Sequence, residues 1–216
     1  TSGMENLIES AEELGINING LVFKPLASAI PTLTKDEMKL GVSLIDIGST
    51  TTSIAVFNEG AVRHSAVLPV GSSSITNDIA VMLRISIEEA EKIKIKYASA
   101  KASLSSQKLE FEIPNSEDNQ MISENELSQY VEARMEEIFQ LALNEIKRGG
   151  IDNNLTYGVV LTGGGSQLRN IVALANDLLD MPVRLGRPIN HLLGNKDFAD
   201  EPVHSTILGL LLWPLF

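Results

Sequence analysis

Two glycine-marked turns carry the residue types best suited to holding an anion. The first is Asp46-Ile47-Gly48-Ser49-Thr50-Thr51-Thr52, which follows the apolar run Val42-Ser43-Leu44-Ile45. The second is Thr162-Gly163-Gly164-Gly165-Ser166-Gln167, which follows Tyr157-Gly158-Val159-Val160-Leu161. Each apolar run reads as a buried strand, and each turn leaves backbone open to close approach. Without a Cβ, glycine lets backbone N–H groups turn toward phosphate oxygens. Two such loops facing each other can hold the two ends of one nucleotide.

Asp46 ends its strand just before the first turn. A carboxylate there suits magnesium, reached mostly through water; the plainer alternative is an Asx turn bonding its own backbone. Gly48, Ser49, Thr50 and Thr51 offer N–H groups and hydroxyls to phosphate. Gly163, Gly164 and Gly165 sit between a strand and a helix start, where partial positive charge gathers. They let a base or ribose lie against the backbone; a flexible β–α turn seldom needs three glycines in a row. The G-x-G-x-x-G spacing is absent, and no Gly-Lys-Ser/Thr follows, so neither a dinucleotide fingerprint nor a P-loop is present. Glu91 and Lys94 are three apart and share a helix face. They serve either to hydrogen-bond a ribose or adenine edge or as a solvated ion pair. His64, His191 and His204 show no metal-ligand spacing.

The elements that must position these residues are legible from periodicity and caps. Residues 4–14 read as a helix stopped by Gly15, Leu21-Val22-Phe23 as a short strand, and 26–33 as a short helix disturbed by Pro31. Thr34 with Glu37 resembles a capping box. Strands follow at 41–46, 51–57 and 61–69, the last two joined by Asn58-Glu59-Gly60. A helix from Ser72 precedes one capped by Ser86 and Glu89 that runs to Tyr97. Residues 108–113 alternate as an exposed strand, and 114–120 form a polar loop. Ser123 with Glu126 caps the longest helix, 124–148, whose buried face is Leu127, Val131, Met135, Ile138, Ala142 and Ile146. Strand 157–161, helix 167–179, strand 183–185 and an apolar helix at 205–212 complete an α/β order.

The 216 residues carry net charge −11, with 44% apolar and 21% charged residues. A core of useful size is possible, and non-specific grip on nucleic acid or anionic membrane is disfavoured. The absence of cysteine excludes disulfides and thiolate chemistry. No apolar stretch is long enough to span a bilayer. The chain opens Thr1-Ser2-Gly3 without an initiator Met and reads as a piece of something longer.

At these residues a resemblance enters. Asp46 to Val56 resembles the second phosphate motif of the actin and chaperone-ATPase superfamily, with Ser49 and Thr50 standing where glycines are common. Val160 to Leu168 resembles its adenosine motif. Within the superfamily, three stretches resemble the FtsA family of bacterial cell-division proteins: Ser74 to Ala80; Glu89 to Lys94 with Ala98-Ser99-Ala100; and Asp197 to Pro202 leading to Ser205-Thr206. Leu26-Ala27-Ser28 and Ser205 to Leu210 resemble the two helices that cross between lobes. The resemblance implies the second lobe of an actin-like (ribonuclease H-like) ATPase fold. Residues 34–70 and 150–204 would form an inner subdomain, 71–149 an outer one, 1–33 a remnant of the first lobe, and 205–216 a connecting helix.

It further implies ATP and Mg2+ as ligands, with Asp46 at the metal and phosphates. Gly48, Ser49, Thr50 and Thr51 would assist it, Gly163, Gly164, Gly165 and Gln167 would face the nucleotide, and Glu91 and Lys94 would reach the sugar or base. Implied partners are FtsZ, other copies of the protein in filaments, and other division proteins, at the inner face of the membrane. One lobe alone should bind nucleotide weakly and hydrolyse it poorly. The rival readings are a pilus-assembly or other actin-like scaffold, a sugar or acetate kinase using Asp78 or His64, and an interaction module with a relic site.

Overall fold

A computed structural model describes residues 2–114, 120–150, 155–188 and 200–215. In chain order its elements are α1 (Ser2–Glu13), α2 (Lys24–Thr32), α3 (Lys35–Leu40), β1 (Val42–Ile47), β2 (Thr52–Asn58), β3 (Ala61–Leu68), α4 (Ser72–Leu83), α5 (Ile87–Tyr97), β4 (Glu110–Glu112), β5 (Met121–Ser123), α6 (Glu124–Arg148), β6 (Val159–Thr162), α7 (Ile171–Leu179), β7 (Val183–Leu185) and α8 (Ser205–Leu212). Residues 115–119 of the expected polar loop, His191, and Asp197 to Ala199 lie outside the described residues.

The main sheet has the order β3-β2-β1-β6-β7. β1, β2 and β3 form an antiparallel meander, while β6 and β7 run parallel to β1. β1, β2 and β6 are buried almost throughout because both faces of this sheet are covered. Alternation sorts their side chains by face. Ile45, Ile47, Ile54, Val56, Val159 and Leu161 pack with α4 to α7, whereas Val42, Leu44, Ala55, Phe57 and Val160 pack with α2 and α3.

The long helix α6 lies across the first face. Ser123 accepts from the Glu126 N–H, and Leu127, Val131, Met135, Ile138, Ala142 and Ile146 are all buried as their spacing predicts. Both expected capping boxes are present, Thr34 with Glu37 and Ser86 with Glu89. The α3 box has a second use: buried Glu37 receives the Arg184 guanidinium of β7, Nε at 2.7 Å, and Arg184 also donates to the Thr32 carbonyl. A local cap thereby ties the sheet edge to the helices on its second face.

Some expectations fail. Leu21-Val22-Phe23 forms no strand and leads directly into α2. The exposed strand shortens to β4 and pairs with β5, which was not foreseen because three residues carry no periodicity. Helix α7 starts at Ile171 rather than at 167: the glycine run continues as a 3₁₀ turn through Gln167, and Asn170 has a left-handed φ of 61°. Leu7 of α1 and Leu14 just beyond it stay exposed.

Asp46 of β1 pairs with Thr162 of β6 in parallel register. Parallel neighbours end at the same sheet edge, so the two turns must emerge side by side. Gly163 makes this possible. Its φ of 83° and ψ of 167° lie in a region open to glycine alone, and a Cβ there would stand 2.5 Å from Asp46 Oδ1 and 2.6 Å from the Ile47 carbonyl oxygen. A Cβ on Gly164 would meet only Val203, at 3.5 Å. Gly163→Ala is therefore expected to lower unfolding stability by about 2–4 kcal/mol in urea titration. Gly164→Ala should cost under about 1 kcal/mol; equal losses at the two sites would contradict the close approach described.

Candidate functional site

The turns after β1 and β6 face one cleft of about 640 Å³, within the range of small-molecule sites. It opens beyond the carboxyl ends of adjacent parallel strands, next to the junction with the antiparallel meander. Ligand crevices in open α/β sheets lie at such ends.

At the cleft's inner end is Asp46, 1% exposed. A buried carboxylate must be answered by donors, and here they come from both crossing helices. Lys24 Nζ of α2 donates to Oδ1 at 3.0 Å, and Ser28 Oγ of α2 donates to Oδ2 at 2.6 Å. The Thr206 hydroxyl of α8 lies 2.8 Å from Ser28 Oγ and 3.3 Å from Oδ2. The two helices can cross this closely because Gly209 sits against the Ala27 carbonyl, where a Cβ would come within 1.7 Å.

Gly48 and Ser49 form a tight turn. The Gly48 N–H donates to the Thr51 carbonyl at 2.9 Å, so this amide is used inside the turn. The Gly48 and Ser49 carbonyls accept from the Ser72 and Ser73 amides at the start of α4. Helix α4 thus holds the turn rigidly and spends two of its own free amides doing so. The outer wall comes from α4 and α5. Lys94, only 8% exposed, donates to Thr76 Oγ1 at 2.9 Å and to the Ser72 carbonyl, and its Nζ lies 2.7 Å from Glu91 Oε2. Thr76 also donates to Glu91. Lys94 is buried and spends its donors within the wall, whereas Glu91 remains half-exposed at the opening. The pair is structural and cleft-lining at once.

The structure therefore brings Asp46, Gly48, Ser49, Glu91, Lys94, Gly163, Gly164, Gly165 and Gln167 to one cleft. Thr50 and Thr51 are not among its wall residues. Sequence reasoning missed Lys24, Ser72, Ser73, Arg169, Val203 and Thr206, which also line it. Ser28 and Thr206 did belong to the stretches resembling crossing helices; Lys24, just before Pro25, carried no local signal. Lys24, Lys94 and Arg169 face the cleft, and each is paired with a carboxylate: Lys24 with Asp46, Lys94 with Glu91 and Arg169 with the buried Glu124. Three cations at one cleft, two of them partly exposed, can receive an anionic ligand.

Outside the cleft, Asp78 accepts a two-pronged contact from Arg134 at 2.6 and 3.0 Å, and His64 Nε2 lies 3.0 Å from Glu145. Both side chains tie α6 to its neighbours rather than facing the cleft, which removes the phosphotransfer roles considered for them. No group of three or more His, Asp or Glu suited to a metal occurs among the described residues. None of the described helices is long and apolar enough to cross a membrane.

Partial burial acts to raise the Glu91 carboxyl, but the hydrogen bonds from Lys94 and Thr76 and the Lys94 charge outweigh it and hold the group below its ordinary 4.5. Because the folded form favours the carboxylate, its contribution is complete above the unfolded-state pKa and fades as pH falls through the lower folded value. Glu91→Gln should accordingly flatten the loss of stability on acidification below about pH 4. Thermal melts of both forms at stepped pH check this, and superimposable acid profiles would refute it.

Comparison with known proteins gives one consistent picture. The family profile described as Cell division protein FtsA matches residues 43–209. The Pseudomonas aeruginosa cell division protein FtsA is 40% identical over 213 residues, covering 98% of this chain and 51% of that protein. The FtsA of Escherichia coli K12 is 34% identical, covering 96% and 51%, and that of Bacillus subtilis 37%, covering 96% and 46%. The chain thus spans about half the length of the curated relatives it matches. Among solved structures, MreB5 of Spiroplasma citri bound to ADP superposes with a TM-score of 0.76 at 20% identity, over 97% of this chain and 64% of that one. The PilM-PilN type IV pilus biogenesis complex gives 0.74 at 19%, over 99% and 58%. These likenesses show the actin-like fold.

Proposed function

The chain belongs to the FtsA family of cell-division proteins, and from that premise we propose that it is the nucleotide-binding part of the second lobe of an actin-like ATPase acting in division. One observation carries the reading: two glycine turns, 116 residues apart in sequence, meet at a single cleft lined by Lys24, Lys94 and Arg169, beside a buried carboxylate. A nucleoside triphosphate offers what such a cleft selects. Its polyphosphate is an anion for the Asp46–Ser49 end, where Lys24 also stands. Its flat base and sugar can lie against Gly163, Gly164 and Gly165, whose bare backbone admits close approach. Gln167 stands beside that run, and Glu91, oriented by Lys94, faces the opening from which ribose hydroxyls are reached. The fold neighbour MreB5 has been solved with ADP and with AMPPNP, which supports nucleotide as the ligand class.

The division of labour follows the layers. The inner subdomain, 34–70 with 150–204, supplies both turns. The outer subdomain, 71–149, supplies the second wall and, in the whole protein, the surface that meets FtsZ. The crossing helices α2 and α8 transmit the state of the cleft, because Ser28 and Thr206 touch Asp46 directly. The whole protein would assemble with copies of itself, engage other division proteins, and work at the inner face of the membrane. The share of the relatives this chain spans makes slow hydrolysis and weak nucleotide affinity the expectation for it alone.

Titration with a fluorescent ATP analogue tests the site. Asp46→Ala and Gly164→Val should each weaken binding by at least about tenfold, the first by removing the carboxylate that holds Lys24 and both crossing helices at the first turn and the second by placing methyls where a ligand would lie. Binding equal to that of the unaltered chain would end the assignment. For the partner, purified FtsZ should be retained on the immobilised chain. Retention unchanged on deleting 71–149 from the whole protein would move the contact elsewhere.

A further inference from the structure

Magnesium is the ion a nucleotide cleft of this family is expected to hold at Asp46, yet the residues here do not fit it. Magnesium keeps most of its waters and takes one or two carboxylates in a near-ideal octahedron. Among the described residues, Asp46 is the one carboxylate at the phosphate end, and it is 1% exposed. Its Oδ2 is engaged by the Ser28 and Thr206 hydroxyls. Its Oδ1 receives Lys24 Nζ at 3.0 Å on one flank and is covered on the other by Gly163, where even a methyl would stand 2.5 Å away. A hydrated divalent ion has no open carboxylate edge to approach, and it would meet the Lys24 ammonium as a like charge. The second cleft carboxylate, Glu91, is paired with Lys94 and Thr76.

Lys24 is placed to act in the ion's stead. Its side chain is 38% exposed and lines the cleft, and its Nζ lies 3.3 Å from where a Cβ of Gly48 would be. The ammonium therefore sits at the mouth of the first turn, with one direction spent on Asp46 and others open to the cleft. Lysine is an effective point-charge ligand for phosphate. We infer that Lys24 is the chain's built-in counter-ion for the phosphates of a bound nucleotide, so that this cleft takes its ligand without requiring a divalent cation. The inference rests on the nucleotide reading above, and its test separates the two.

The experiment is equilibrium titration of the chain with a fluorescent ATP analogue, once in excess EDTA and once in excess magnesium. The expected result is affinity in EDTA within about threefold of that in magnesium. Lys24→Gln keeps a donor for Asp46 Oδ1 while removing the charge, and should weaken binding in EDTA by about tenfold or more. Lys24→Glu sets two carboxylates side by side, the oxygen set magnesium prefers, and should make binding depend on magnesium. A thermal midpoint for each variant reports whether it is folded; if Lys24→Glu is not, the EDTA comparison and Lys24→Gln still decide. Binding by the unaltered chain only in magnesium overturns the inference and leaves the nucleotide reading standing. Magnesium-independent binding that Lys24→Gln does not change also overturns it. No binding in either medium overturns the nucleotide reading itself.

Discussion

A carboxylate buried at the end of a strand must find donors, and the search for them organises this molecule. Asp46 draws Lys24 and Ser28 from α2 and Thr206 from α8, and it packs against Gly163 of the turn after β6. Four segments far apart in sequence thereby meet at one group. An unanswered buried charge costs several kcal/mol, so each donor is held by the cost of losing it. The close crossing of α2 and α8 at Gly209 and Ala27 is the steric condition for it.

The second wall follows a similar logic with the sign reversed. Lys94 is a buried cation, answered by Glu91, Thr76 and the Ser72 carbonyl. Ser72 also donates its amide to the Gly48 carbonyl, so the outer wall and the first turn are linked through one residue of α4. A ligand that moves α4 and α5 would therefore move the first turn, and one that pulls Lys24 away from Asp46 would disturb the crossing helices.

Much of the fold was legible because its signals are local. Caps at Thr34, Ser86 and Ser123, the α6 stripe and the β2–β3 hairpin each depend on residues within a few positions of one another. Where the decisive partner lay elsewhere, reading along the chain fell short. Leu21-Val22-Phe23 has strand composition but leads directly into α2. β5 exists because β4 is beside it. The glycine run forms a 3₁₀ turn packed on Ile47, so close that a Cβ on Gly165 would stand 2.4 Å from Ile47 Cγ2, and that neighbour is 118 positions away along the chain.

By itself, then, the sequence determined that two strand–turn units end in backbone able to approach a ligand, since glycine content and apolar runs act through covalent geometry. It also marked Glu91 and Lys94 as neighbours on one helix face, because helical pitch sets that. Only the tertiary structure decided that Lys94 is buried while Glu91 is not, that Thr50 and Thr51 stand aside from the cleft, and that Lys24 claims Asp46. The reason is that charge pairing depends on distance through space. The separations of 22 positions from Lys24 to Asp46 and of 160 from Asp46 to Thr206 close only when helices and sheet have packed.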